Sequence, residues 1–381
     1  MNQSAAWPRK KVSEIAEHSL GKMLDKAKNR GELQPYLRNL NVRWFEFDLS
    51  DMLQMRFLPE ESQRYTAAKG DLLICEGGYP GRAAIWDRDD PVYFQKALHR
   101  VRFHQPEHTK WFLYYLYYLD LSGELKSHFN GAGIQHFTGE TLAEFEAPLP
   151  PVPEQHRIVG ILDDAFDGIA TAKANAEKNL QNARALFKSH RHSILTQRAQ
   201  RWIETTIDKV STNLDSRRVP ITKSDRKSGE YPYYGASGIV DYVADYIFDG
   251  DMLLISEDGA NLVMRSTPIA FSVSGKFWVN NHAHILKFDN MATQRFVESY
   301  LESIALDEYI TGAAQPKLNQ NALNSIPIPI PKSVDAQAKV VRSIEQLSAE
   351  TQRIESLYRQ KLTALDALKQ SLLHQAFTGA L

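Results

Sequence analysis

Two long apolar seams constrain this 381-residue chain more than any other feature. The first follows Leu149-Pro150-Pro151. From Glu154 onward, apolar or small residues recur at Ile158, Leu162, Ala165, Ile169, Ala172, Ala176, Ala183, Phe187, His190 and Ile194. Steps of three and four lay one narrow stripe along a helix, the seam of a coiled coil. Neither glycine nor proline interrupts the run after Gly168, so the spacing predicts a helix over Glu154–Arg198. It would be roughly 65 Å long at ~1.5 Å per residue. A helix with such a stripe needs a partner. The second seam offers one: after Ile326–Pro331 it runs through Val340, Ile344, Leu347, Thr351, Ile354, Tyr358, Leu365, Leu368 and Leu372.

The two seams end two copies of one unit. Pro148 aligns with Pro329 and Pro150 with Pro331, and Gly131–Pro150 matches Gly312–Pro331 at a constant offset. GDLLICEGG is mirrored by GDMLLISEDG. A repeat of this kind sets the architecture. The expected fold class is α+β, with two globular α/β domains at 1–152 and 201–331 and long coiled-coil helices at 153–200 and 332–381.

The formal net charge is −1, so the whole chain is not a basic nucleic-acid binder and any such contact must come from local patches. Cys75 is the one cysteine. That excludes an intrachain disulfide and a multi-cysteine zinc site and suits a reducing, cytoplasmic setting. Cys75 sits in an apolar strand with no base near it in sequence, which reads as a buried structural thiol. MNQSAAWPRKK lacks the apolar core of a signal peptide, and no run reaches membrane-spanning length.

Within the first copy, Trp7–Glu17 reads as a short amphipathic helix. Lys22, Lys26, Lys28 and Arg30 read either as a solvated loop or as phosphate contacts. Pro35–Leu49 alternates like a strand with Val42, Phe45 and Phe47 inward. The glycine loop Glu76–Trp86 has no Lys-Ser/Thr pair and no helix after it, so it is no P-loop. Tyr79 and Arg82 at its tip are candidates for touching another polymer, as is Lys96 beside Arg100 and Arg102. Trp111–Leu121 reads as a core helix. The stretch Arg184–Arg201 is basic, either complementing the helix dipole or lying over phosphates.

In the second copy, Arg217, Arg218, Lys223, Arg226 and Lys227 precede a glycine turn with Tyr234 and Ser237. Basic residues interleaved with aromatics and small polar groups suit DNA contacts. The candidates there are Arg218, Lys223, Arg226, Tyr234 and Ser237. His282 and His284 share a face of an expected strand over Trp278–Phe288, but two histidines without a third ligand do not make a metal site. No Asn/Asp-Pro-Pro-aromatic tetrapeptide, GxSxG or HExxH is present, so neither catalysis nor a cofactor is expected.

PYLRNLNV, GDLLICEGGYPGRAAIW, HFTGETLAEFEAPLPPVPEQHRIV, YPYYGASGIVDY and IPIPIPKSVDAQAKVV together resemble the specificity (S) subunit of type I restriction–modification enzymes, over nearly the whole chain. The resemblance implies two target-recognition domains, each reading one half of a split site in double-stranded DNA. It also implies antiparallel pairing of the helices, which hold the domains apart and dock two modification subunits. A restriction subunit can join. Two other readings are a stand-alone DNA-modifying enzyme and an assembly scaffold that reads nothing.

Overall fold

The structure, a computed structural model, describes residues 7–25, 27–131, 133–196, 202–312 and 314–381. It divides into two compact units, Met1–Ala176 with Gln360–Leu381 and Glu177–Arg359. Lys26, Arg198 and Arg201, and with them the expected end of the first long helix, lie outside the described residues. No helix among the described residues is long and apolar enough to cross a membrane.

The first unit contains β1 (Arg9–Lys11), β2 (Ala16–Leu20), β3 (Glu32–Leu37), β4 (Leu53–Phe57), β5 (Thr66–Ala67), β6 (Leu72–Cys75), β7 (Ala83–Ile85), β8 (Val92–Phe94), β9 (Leu98–Phe103) and β10 (Glu146–Pro148). One antiparallel sheet has the order β2-β9-β6-β7. A second has the order β4-β3-β8-β5, with β3 and β8 parallel. β1 pairs with β10. All of Leu72–Cys75 is buried because β6 separates two cores. Leu72 and Ile74 pack with Phe112 and Leu116 of the aromatic helix Glu107–Ser122, whereas Leu73 and Cys75 pack with Phe94 and Leu98. That is the period-two alternation of a strand buried on both faces. Burial pushes the Cys75 thiol up to about 11, in keeping with a structural role.

The second unit repeats this plan in β11 (Trp202–Thr206), β12 (Thr212–Asn213), β13 (Ser228–Gly235), β14 (Gly238–Val243), β15 (Phe248–Asp249), β16 (Met252–Ser256), β17 (Ala270–Val273), β18 (Lys276–Val279), β19 (Ala283–Lys287), β20 (Ile310–Thr311), β21 (Lys317–Leu318) and β22 (Pro327–Pro331). Its sheets run β12-β19-β16-β17 and β14-β13-β18-β15, with β11 on β22. β16 divides the cores as β6 does: Leu253 and Ile255 face one, Met252 and Leu254 the other. The loops entering the last stretch of each globular part close on Gly131 (φ +110°) and Gly312 (φ +86°). A Cβ there would fall 2.3 Å from the Ile134 carbonyl oxygen or 2.4 Å from that of Gln315.

The long helices are Val152–Thr196 and Val334–Thr378, 45 residues each. Within the first unit, Ile158 and Leu162 pack with Leu373 and Ala376 against Trp111 and Tyr114. Arg157 donates to the Leu381 carbonyl at 2.8 Å, and Lys173 pairs with Asp366 at 2.7 Å. One number rises as the other falls, so these segments run antiparallel. Within the second unit Arg184 pairs with Glu355 at 3.0 Å.

Local readings needed correction where tertiary pairing overrode short-range pattern. Trp7–Glu17 is not one helix: β1, a single turn at Val12–Ile15 and β2 take its place. A short helix is marginal alone, and β10 and β9 supply ladder partners instead. The strand expected over Pro35–Leu49 stops at Leu37. There the Asn41 side chain accepts from Arg38 N–H and donates to the Asp48 and Asp51 carbonyls, gathering a loop. The Trp278–Phe288 strand is broken by a turn in which Asn280 Oδ1 accepts from His282 N–H at 2.8 Å. Two seam positions also shift. His190 and Leu368 are exposed, and half-buried Arg191 and Lys369 take the stripe. Each cation lies over aromatic rings, Arg191 at 5.3 Å from Phe187 and Lys369 at 4.4 Å from Phe166. Long stems with a cationic tip fill such seams as well as aliphatic residues do.

Candidate nucleic-acid interface

In the first unit, the hairpin between β6 and β7 brings Tyr79 and Arg82 together. The Arg82 guanidinium lies 4.9 Å from the Tyr79 ring centre. Tyr79 is 45% exposed, and its hydroxyl donates to Asp120 at 3.2 Å. Arg82 is half-buried; Nη2 donates to the Asn39 carbonyl at 3.0 Å, and its Nε is buried without a partner. Lys96 is exposed on the turn from β8 to β9, beside the root of the glycine loop, where Glu76 N–H donates to the Ala97 carbonyl. Its neighbours in sequence are committed elsewhere. Arg100 donates to the Gln63 and Thr66 carbonyls, and Arg102 grips Asp71 with two bonds of 2.7 Å. Lys22 is buried against Glu61, whereas Lys28 and Arg30 are exposed.

In the second unit, Arg218 belongs to a buried ion network. It donates to Glu257 at 2.6 Å and to the Ala283 carbonyl at 2.9 Å, with Asp215 3.6 Å away. Lys317 reaches Glu257 at 3.2 Å. His284 Nδ1 meets Asp215 at 2.5 Å, and its Nε2–H donates to the Leu318 carbonyl at 2.7 Å. Burial pushes the Asp215 carboxyl up, but His284, the Ile285 amide and Arg218 outweigh it and hold it below the usual carboxylate range. Glu257 is held low against its own burial by Arg218, His284 and Lys317. The ligand atoms of Asp215, Glu257 and His284 lie within 4.8 Å of one another. Arg218 and Lys317 already balance the charge of the two carboxylates. His282 has left it for Asp258, at 2.9 Å.

Arg226 also has an internal role, lying 4.4 Å over the Tyr233 ring and pairing with Asp241 at 3.1 Å. Tyr234 is half-buried against Phe271 and Phe277. Lys223 is exposed, and Ser237 is exposed at the tip of the β13–β14 hairpin. Sequence reasoning missed the exposed apolar residues on that hairpin's edge strand: Ile239 is 47%, Val240 55% and Tyr242 49% exposed. Their signal was present, since successive strand side chains point to opposite faces and GIVDYV carries apolar residues on both. In the basic stretch at the end of the first long helix, Arg191 donates to the Glu302 carbonyl and His192 bonds the Ser303 carbonyl.

The sequence model of the type I restriction modification DNA specificity domain matches the chain twice, over residues 5–181 and 201–364. A putative type I restriction enzyme specificity subunit of Haemophilus influenzae is 37% identical over 145 residues, 38% of this chain. That match spans 37% of the length of the curated relative. Among solved structures, the HsdS subunit of Thermoanaerobacter tengcongensis has TM-score 0.63 at 15% identity, covering 99% of this chain and 98% of that one. A chain from a structure describing complex assembly and conformational transition of the type I R-M system has TM-score 0.78 at 14% identity, covering 99% of both. At such identities the likeness concerns the fold. With both halves matched by one family's domain, the chain belongs to the type I restriction modification DNA specificity family.

Proposed function

We propose that this chain is the DNA-reading subunit of a type I restriction–modification complex in the cytoplasm. Each globular half reads one part of a bipartite target, and the paired helices set the unread spacing and dock two modification subunits. A restriction subunit joins the full complex, and this chain performs no reaction itself. The observation carrying this reading is the duplication: the same strand order occurs in both units, and a 45-residue helix follows each repeat in the chain. Two like heads suit two half-sites, because protein pseudo-symmetry mirrors the arrangement of the sites. The readout candidates are the exposed side chains Tyr79 and Lys96 in one head and Lys223, Ser237, Ile239 and Tyr242 in the other. A two-stranded ribbon fits the major groove, where apolar side chains meet thymine methyl groups. Arg82, Arg218, Arg226 and Tyr234 support those surfaces from within. Methylome sequencing of a host expressing this chain with its modification subunits tests the reading. A split motif with a fixed spacer is expected; a continuous motif, or methylation indifferent to sequence, would reject it.

A further inference from the structure

Each long helix carries a buried glutamine at its fourth position, Gln155 and Gln337, and both make the same two bonds. Gln155 is 0% exposed; its Nε2 donates to the Pro150 carbonyl at 2.7 Å, and its Oε1 accepts from His108 Nδ1 at 3.1 Å. Gln337 Nε2 donates to the Pro331 carbonyl at 2.9 Å, and its Oε1 accepts from Thr293 Oγ1 at 2.7 Å. Pro150 lies between β10 and the first long helix, and Pro331 ends β22 just before the second. His108 and Thr293 lie in the first turns of the head helices Glu107–Ser122 and Met291–Leu301. In each unit one amide therefore ties together the leader, the long helix and the head.

We propose that Gln155 and Gln337 are positioning residues that fix the angle of each reading head on its helix, and thereby the spacer length the protein accepts. This rests on the DNA-reading function proposed above. Apolar packing could close these junctions, but it is non-directional. A buried amide bonded at both ends is directional, and it is costly to leave half-bonded. The donor differs between the halves, histidine in one and threonine in the other, while the bonds do not. A head of this size is roughly 35 Å across. A tilt of about 6° would move its far surface by ~3.4 Å, the rise of one base pair.

The test uses the full chain assembled with its modification subunits, with methylome sequencing as the readout. Gln337→Met and Thr293→Val each break the second pin, the latter by a near-isosteric exchange that also removes the Thr293 hydroxyl from Asn290. The expected result is two unchanged half-sites, with methylation at spacers one base pair longer or shorter rising about fivefold relative to the native spacer. Gln155→Met should act likewise through the first head. A merely structural role predicts a lower melting temperature and less methylation at every site, with the spacer distribution of the native chain. That distribution in Thr293→Val would overturn the proposal even if Gln337→Met fails to assemble. A native chain that methylates no split motif would instead overturn the reading beneath it.

Discussion

His99 and His284 occupy matching places in the two halves of the chain, each donating Nε2–H to a carbonyl on the strand or loop before a short helix, Phe137 at 2.9 Å and Leu318 at 2.7 Å. Their other ring nitrogens differ. His284 Nδ1 faces Asp215, whereas His99 Nδ1 is buried without a partner. One repeated backbone contact thus sits in two electrostatic settings, and the halves should respond differently to acid.

Burial holds the His99 imidazole at about 4, against the Phe137 bond and helped by His18. The unfolded chain binds this proton near pH ~6.5. Stability from the neutral ring is therefore fully present above that pH and is lost as pH falls toward 4, on the order of 3 kcal/mol in all. His99→Gln, which keeps a donor for Phe137, should flatten the melting temperature between pH 6.5 and 4.5; an unchanged slope would refute this. Asp215 and Glu257, held low, contribute fully above the ordinary carboxylate range and lose that contribution as pH falls through it toward their depressed values.

Arg218→Met should destabilise the second unit by about 2–4 kcal/mol, because Glu257 and Asp215 lose their buried cation. Lys223→Met, on an exposed turn, should stay within about 0.5 kcal/mol. Urea unfolding of the two variants checks the contrast, and equal stabilities would remove Arg218 from the network.

For DNA, Lys223→Ala should weaken binding alike across sequences and reduce the slope of log K against log salt by about 0.9. Fluorescence anisotropy at several salt concentrations measures it. A loss confined to one target sequence would mean that Lys223 reads bases.

Removing matched heptads, Glu177–Ala183 from one helix and Ser356–Leu362 from the other, shortens each by ~10 Å while keeping the stripe in phase. The unread spacer should shrink by about three base pairs at ~3.4 Å each. Methylome mapping should return both half-sites unaltered, and an unchanged spacer would refute the helices as a ruler.

The duplication, both long helices and the aromatic helix were legible in the sequence because they rest on local periodicity repeated over many residues. The candidate site was legible only as chemistry. Tyr79, Lys223 and Ser237 lie in exposed loops, as their neighbours in sequence suggested, whereas Lys96, expected on a strand, lies on the turn that divides β8 from β9. Arg218 and Arg226 looked identical to them in composition, yet each has an acidic partner many residues away, Glu257 and Asp241. No window around an arginine contains that information.

By itself the sequence determined that one αβ unit occurs twice, each followed by a long helix, since period and repeat are properties of neighbours along the chain. Only the tertiary structure decided which cations reach solvent, which histidine sits beside a carboxylate, and that Gln155 and Gln337 join three elements. Those are long-range contacts. A buried polar group takes whatever partner the fold brings within hydrogen-bonding distance, and the order of residues alone does not name it.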